Sequence, residues 1–72
     1  MKGSEFVRRV RRTGRRWGIS VELRPERGKG SHSTLYFGSR FTVVRYLKDE
    51  LKIGTLHAML KQLGLALEDL DD

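Results

Sequence analysis

The sequence has no cysteine, a single proline and no long apolar run, and each of these features excludes a class of protein. Without cysteine, a disulfide framework and a thiolate zinc site are both ruled out, so an oxidising compartment is not indicated. No stretch approaches the roughly 20 apolar residues that span a bilayer, and no apolar segment follows the arginine-rich start of the chain. We therefore expect a cytoplasmic protein without a membrane segment or an export signal.

Acidic residues are scarce outside the C-terminal end. The chain has 15 Lys and Arg against 9 Asp and Glu, a net charge of +6. Residues 68–72 hold 4 of the 9 acids and none of the basic residues, so residues 1–67 carry 15 basic and 5 acidic side chains, a net +10. This charge favours a polyanionic partner, because binding to phosphates releases counterions. We therefore expect nucleic acid as the partner and do not expect a membrane surface. The alternative is that the charge binds no partner and only keeps the protein soluble.

The 72 residues are enough for one small domain, which we predict to span residues 1–72. The segment "SEFVRRVRRTG" predicts a first helix with Ser4 as its N-cap and Gly14 as its stop. The segment "WGISVELR" alternates apolar and polar residues, which predicts a strand over residues 17–24 with one buried face. A loop is expected over "PERGKG", because it contains the proline and two glycines.

The runs "SHSTLYF" and "RFTVVRY" predict two antiparallel strands, because Gly38 and Ser39 between them have the composition of a tight hairpin turn. The last helix is indicated by apolar residues at helical spacing, with Thr55 as cap and Gly64 as stop; these residues are Leu56, Met59, Leu60 and Leu63. Leu65 is expected to contact Leu60 and close the helix. The acidic tail, residues 66–72, is expected to fray.

These elements predict an α+β fold in the order α-β-β-β-α, a three-stranded antiparallel sheet with two helices on one face. The aromatic residues Phe6, Trp17, Phe37 and Phe41 fall on the faces that periodicity assigns to the interior, so we predict them in the core. For Tyr36 and Tyr46 the sequence leaves two positions open, one in the core and one on a surface that stacks on bases.

His32 is the strongest candidate for chemistry. The alternation along the second strand sets Leu35 and Phe37 on one face and His32 on the other, which is uncovered if the apolar pair contacts the helices. Histidine suits proton transfer in RNA cleavage, because its ordinary pKa of about 6.5 is near working pH. The backbone amides and the lysine just before it are suited to a phosphate; these residues are Gly28, Lys29, Gly30 and Ser31. The alternative is a surface histidine after ordinary turn glycines.

Arginines of the first helix form a second candidate site. Arg8, Arg9, Arg12, Arg15 and Arg16 are predicted to bind the RNA backbone, with Arg15 and Arg16 just beyond the helix end. The alternative is a solvated surface with cations near a helix C-terminus, and the net charge favours binding. His57 is interpreted as an exposed helix residue without a catalytic role, and no spacing of ligands indicates a metal site.

The sequence resembles the HicA family of mRNA interferase toxins. The resemblance rests on Gly30-Ser31-His32 before a strand and on "GTLHAMLKQLGL", residues 54–65, as the closing helix. It implies a fold similar to double-stranded RNA-binding domains and a ribonuclease that needs no metal or other cofactor, with His32 as the catalytic residue.

The resemblance also implies a partner protein, a HicB-type antitoxin that covers His32, and contact with DNA only through that complex. Many family members carry a second histidine where this chain has Tyr46, so the second proton-transfer group stays open among Tyr36, Tyr46 and Lys29. A non-catalytic RNA-binding module of the same fold is the alternative function, and a protein that binds only another protein is a third.

Overall fold

The chain forms two helices and a three-stranded antiparallel sheet in the predicted order α-β-β-β-α, which is confirmed. The structure, a computed structural model, describes residues 1–27, 30 and 32–71. Its elements are α1 (Gly3–Trp17), β1 (Val21–Pro25), β2 (Ser33–Phe37), β3 (Arg40–Val44), α2 (Ile53–Leu63) and a C-terminal 3₁₀ helix (Leu67–Leu70). None of the helices in the described part is long and apolar enough to cross a membrane.

The sheet order is β1-β2-β3, with β2 in the centre. Phe37 pairs with Arg40 across a two-residue loop, which confirms the predicted hairpin turn at Gly38 and Ser39. Gly38 has a φ of 62°, and a positive φ at the first loop residue is where a type II′ turn places glycine. The hairpin turn therefore sets the register of β2 against β3.

Both helices pack on the same face of the sheet, α1 against β1 and β2 and α2 against β3. The core lies between them, and it contains Phe6 and Val10 of α1, Leu35, Phe37 and Val44 of the sheet, and Leu56, Met59, Leu60 and Leu63 of α2. Phe6 and Phe37 are buried as predicted. The opposite face of the sheet is left without a helix.

Helix α1 is longer at both ends than the sequence predicts. It begins at Gly3 and not after Ser4, because the N–H groups of Gly3 and Ser4 donate to the carbonyls of Asp49 (3.1 Å) and Leu47 (2.8 Å). These carbonyls satisfy the first-turn donors that a side-chain cap would otherwise bind. The helix ends at Gly18, whose φ is 68°, so Arg15 and Arg16 belong to its last turn.

Gly14 does not stop α1 but lets it approach the sheet. A Cβ at this position would clash with Cγ2 of Val21 and lie 2.8 Å from the carbonyl oxygen of Ile19. The strand prediction from residue 17 is wrong because the helix continues to Trp17, and β1 begins only at Val21. Trp17 is 47% exposed and meets Phe37 edge-on at 6.1 Å between ring centroids, so its predicted core position is also wrong.

Helix α2 and the residues after it close the core. Gly64 ends α2 with a φ of 73°, as predicted. The N–H of Leu65 donates to the carbonyl of Leu60 at 2.9 Å, which is the backbone bond of the expected helix-closing motif. The helix begins at Ile53 with Lys52 as N-cap, so the prediction of Thr55 as cap is wrong.

The acidic tail is folded over residues 67–70, so the prediction that it frays is wrong there. Leu70 is 1% exposed, because the 3₁₀ helix packs on α1. The hydroxyl of Thr13 donates to the carbonyl of Asp69 at 2.8 Å, and the carboxylate of Asp69 accepts the N–H of Ala66 at 2.8 Å. Buried Leu70 and the hydrogen bond from Thr13 therefore hold this segment on α1, although Leu67 and Glu68 of the same segment are exposed.

Candidate nucleic-acid interface

The face of the sheet without helices, called the open face below, carries rows of side chains that run across the three strands. The strand register defines two rows, Glu22-Tyr36-Phe41 and Arg24-Thr34-Val43. Phe41 is 57% exposed, which makes the prediction of a core position wrong. The run "RFTVV" has apolar residues on both faces, and Thr42 and Val44 are the ones that point inward. Thr42 can be buried because its hydroxyl donates to the side chain of Gln62.

His32 lies directly before β2 and in line with Thr34 and Tyr36 of the open face. Its carbonyl accepts the N–H of Glu26 at 2.9 Å, so the pairing of β1 with β2 continues one step beyond the strands. The imidazole is half-buried, and its ring meets that of Tyr46 edge-on, with 6.0 Å between centroids and 81° between planes. Tyr46 is 54% exposed, which leaves the pair accessible from solvent.

Two charged residues that the sequence reasoning missed lie at the same end of the sheet as His32. The N–H of Glu26 donates to the carbonyl of His32, and one carboxylate oxygen of Glu26 accepts the hydroxyl of Thr34 at 3.1 Å. Arg45 directly follows Val44, which pairs with Ser33 at the last step of the β2–β3 register. Arg45 is exposed and lines open clefts between β3 and α2.

The glycine-rich turn before His32 is only partly described. Gly30 is exposed, has a φ of 56° and has no atom within 4 Å of an added Cβ. This agrees with the interpretation of the segment as a turn. Gly28, Lys29 and Ser31 lie outside the described residues, so the phosphate cradle they were assigned stays a prediction. An open cleft of about 540 Å³ adjoins the turn, and Gly30, Tyr46 and Lys48 are among the residues that line it.

The arginines of α1 divide into two groups. Arg8, Arg11 and Arg15 are exposed. Arg9 and Arg16 instead contact the acidic tail: Arg16 donates to the carbonyls of Asp69 (2.7 Å) and Asp71 (2.8 Å). Arg9 lies 2.7 Å from the carboxylate of Glu5 and 3.6 Å from that of Asp71.

Arg12 is half-buried, and its helical spacing puts it on the same side as Arg9 and Arg16. The tail therefore contacts this side of α1 through Arg9 and Arg16. Of the arginines predicted to bind RNA, Arg8 and Arg15 stay exposed, as does Arg11 beside them.

The structure does not bring the arginines of α1 and His32 together. Helix α1 lies on the covered face of the sheet and its arginines point away from that face, whereas His32 belongs to the open face. The sheet and a helix of about 10 Å diameter separate the two groups, so one phosphate cannot contact both.

Arg24 carries a further cation on the open face. Its Nε donates to the carboxylate of Glu22 at 2.8 Å, and this hydrogen bond, with the charge of Glu22, raises the pKa of the guanidinium. Its Cζ lies 5.9 Å from the ring centroid of Tyr36. The guanidinium is therefore charged and held beside an aromatic ring at any working pH.

The chain matches no protein-family model, and searches of the curated proteins and of the solved structures also find no match. The resemblance to the HicA family therefore rests on the sequence alone, on the two motifs and the opening of the first helix, "EFVRRVRRTG". Within the described ranges, no group of three or more His, Asp or Glu side chains is arranged to hold a metal ion.

Proposed function

We propose that the protein is a metal-independent endoribonuclease of the kind that the HicA resemblance implies, with His32 as the catalytic residue. The observation that supports this most is the position of His32. It lies half-buried beside Tyr46 at one end of the open face, at the same end of the sheet as Glu26 and Arg45. An imidazole with an anion and a cation in its neighbourhood is suited to proton transfer at a phosphodiester.

The proposed reaction needs only groups of the RNA and of this chain. The imidazole of His32 takes the proton of a 2′-hydroxyl, the 2′-oxygen forms a bond to the adjacent phosphorus, and the bond to the 5′-oxygen breaks. The products are a 2′,3′-cyclic phosphate and a 5′-hydroxyl. Arg45 is suited to stabilise the negative charge that develops on the phosphoryl oxygens, and Glu26 to stabilise the imidazolium form of His32.

Tyr46 is the favoured group to protonate the leaving 5′-oxygen. Its ring is in contact with that of His32, so both can reach one phosphate. Tyr36 is four residues from His32 along the strand, about 13 Å at 3.3 Å per residue, which is too far for the same phosphate. Lys29 lies outside the described residues and remains a candidate. If His32 instead acts as the acid, Glu26 is the nearest described candidate for the base.

The partners implied by this function are mRNA and a HicB-type antitoxin that covers His32, and its location is the cytoplasm, where mRNA is translated. A net charge of +6 supports both partners, because it attracts RNA and an acidic inhibitor alike. Contact with DNA is expected only through the antitoxin complex.

The test compares two single histidine variants, His32→Ala and His57→Ala, in an RNA cleavage assay with EDTA. His57 is exposed on α2 and away from the open face, so its replacement is the matched control. We expect His32→Ala to lose about 10²- to 10⁴-fold in cleavage rate with unchanged RNA affinity, and His57→Ala to keep the wild-type rate. Equal rates for His32→Ala and wild type would remove His32 from the reaction.

An RNA-binding module without catalysis is the second candidate. The exposed arginines of α1 support it, because they lie away from His32 and can bind phosphates without it. Under this alternative wild type and both variants bind RNA with equal affinity and none of them cleaves it.

A further inference from the structure

The first row of the open face places two aromatic rings side by side at the end away from His32. Tyr36 and Phe41 are direct partners in the register of β2 and β3. Their ring centroids are 6.0 Å apart with 47° between the planes. More than half of the Phe41 surface is exposed, whereas Tyr36 is half-buried. The pair is thus an accessible aromatic surface next to the hairpin turn, on β2 and β3.

Cations accompany these rings along the open face. The Arg24 guanidinium lies over Tyr36, and Arg45 is exposed beyond Val43 at the other end of β3. Glu22 pairs with the Nε of Arg24, and Glu26 accepts the Thr34 hydroxyl. The groups that can bind a ligand are therefore the rings, Arg45 and the terminal guanidinium nitrogens of Arg24.

The mixture of rings and charges distinguishes between the possible occupants. The core of a protein interface is depleted of charged residues, yet each row of the open face contains at least one. Single-stranded RNA needs both kinds of group, because its bases stack on aromatic rings or guanidinium planes and its phosphates bind cations. The open face matches that combination, and the net charge of +6 is of the required sign.

We propose that Tyr36 and Phe41 form a stacking subsite for nucleobases of single-stranded RNA. The inference rests on the proposed function, because the strand bound here is the one that His32 cleaves. Tyr36 and His32 are about 13 Å apart along β2, so the stacked bases are those a few nucleotides from the cut. The subsite holds a single strand flat on the sheet, and a duplex, whose bases are stacked on one another, cannot use it.

The test measures binding without cleavage, by fluorescence anisotropy with a labelled, 2′-O-methylated single-stranded oligonucleotide. Phe41→Ala is compared with Ile53→Ala, which truncates an equally exposed apolar side chain on α2. Alanine replacement of a stacking ring typically weakens binding by about 5- to 150-fold. We expect a loss in that range for Phe41→Ala and a change below about twofold for Ile53→Ala, by the usual neutrality of exposed sites.

A second variant reports stacking directly. Phe41→Trp in a Trp17→Phe background carries one tryptophan, located in the subsite, and stacking bases should quench its emission. An abasic strand of the same length should bind without quenching. Wild-type affinity in Phe41→Ala, or equal quenching by the abasic strand, overturns the subsite and leaves the open face to a protein partner.

The two proposals fail separately in these assays. Loss of affinity in Phe41→Ala together with an absence of cleavage by wild type supports the subsite and refutes the ribonuclease. Cleavage that depends on His32 together with unchanged affinity in Phe41→Ala supports the ribonuclease and refutes the subsite.

Discussion

Replacing Leu70 by alanine should remove much of the stability of the protein, although the residue is near the end of the chain. Leu70 is 1% exposed and packs on α1. A buried Leu→Ala change costs about 2–5 kcal/mol, and a short terminal segment relaxes more easily than a central one, so we expect about 2–3 kcal/mol. A chain of 72 residues has a total stability of about 4–11 kcal/mol, at roughly 0.05–0.15 kcal/mol per residue.

Urea unfolding followed by circular dichroism measures this loss. With a slope of about 1 kcal/mol per molar urea for a protein of this size, the midpoint should fall by about 2–3 M. Leu67→Ala is the matched control, because Leu67 belongs to the same 3₁₀ helix but is 41% exposed, and we expect it to cost below about 1 kcal/mol. Equal midpoints for the two variants would show that the tail does not dock on α1 in solution.

Loosening the tail should also change RNA binding. In Leu70→Ala, Arg16 loses the hydrogen bonds to the carbonyls of Asp69 and Asp71, whereas Arg9 keeps its ion pair with Glu5. One further cation then becomes available for phosphates, and each contact to a single strand adds about 0.7 to the slope of log affinity against log salt. We expect the slope to steepen by up to about 0.7, and an unchanged slope would mean that Arg16 does not reach RNA.

Three further predictions follow from single contacts. Gly14→Ala should destabilise by about 1–3 kcal/mol in urea unfolding, because the new methyl meets Val21 and the Ile19 carbonyl. Gly54→Ala, with open space around its Cβ, should stabilise by up to about 1 kcal/mol; similar effects of the two changes would contradict the packing described. Arg15→Ala should lower the slope of log RNA affinity against log salt by about 0.7 and leave the free energy of unfolding unchanged, whereas Arg16→Ala should lower the free energy of unfolding. If Arg15→Ala destabilised the protein and Arg16→Ala did not, the two groups of arginines described above would be wrong. The N-terminal ammonium bound to Glu50 lowers the pKa of that carboxyl, so its NMR titration midpoint should lie below 4.5. The stability that this pair contributes is present above the pKa of Glu50 in the unfolded chain and is lost as the pH falls through its pKa in the folded protein. If acetylation of the N-terminus left the titration midpoint of Glu50 unchanged, the pairing would be disproved.

The parts of the fold that could be predicted from the sequence are those set by local chemistry. The hairpin follows from two turn residues, Gly38 and Ser39, and the end of α2 follows from Gly64 and the contact of Leu65 with Leu60. Each of these depends mainly on residues that are neighbours along the chain, which is why the sequence alone indicates it.

The wrong predictions concern residues whose role is decided by distant partners. Gly14 has the composition of a helix stop, but its lack of a side chain serves the approach of α1 to Val21. Phe41 and Thr42 exchange their expected faces, because Gln62 of α2 satisfies the Thr42 hydroxyl and the larger ring is left outside. Leu70 has no helical neighbours that would mark it as core, and only the surface of α1 buries it.

The residues of the candidate site also divide into those that local sequence can place and those that depend on distant partners. Arg45 could be placed at the same end of the sheet as His32 from the sequence, because the two-residue turn fixes the register of β2 and β3. Glu26 could not, since the longer connection from β1 to β2 leaves their register open. The pairing of Arg9 and Arg16 with the acidic tail joins residues more than 50 positions apart, and charge composition alone does not indicate it.

The most direct test of the proposed reaction is the cleavage of an oligoribonucleotide and of its 2′-O-methylated copy by wild type in EDTA, with analysis of the product ends. The account predicts that only the unmethylated strand is cut, that the products carry 2′,3′-cyclic phosphate and 5′-hydroxyl ends, and that His32→Ala leaves the strand intact. Cleavage of the methylated copy, or wild-type cleavage by His32→Ala, would contradict it.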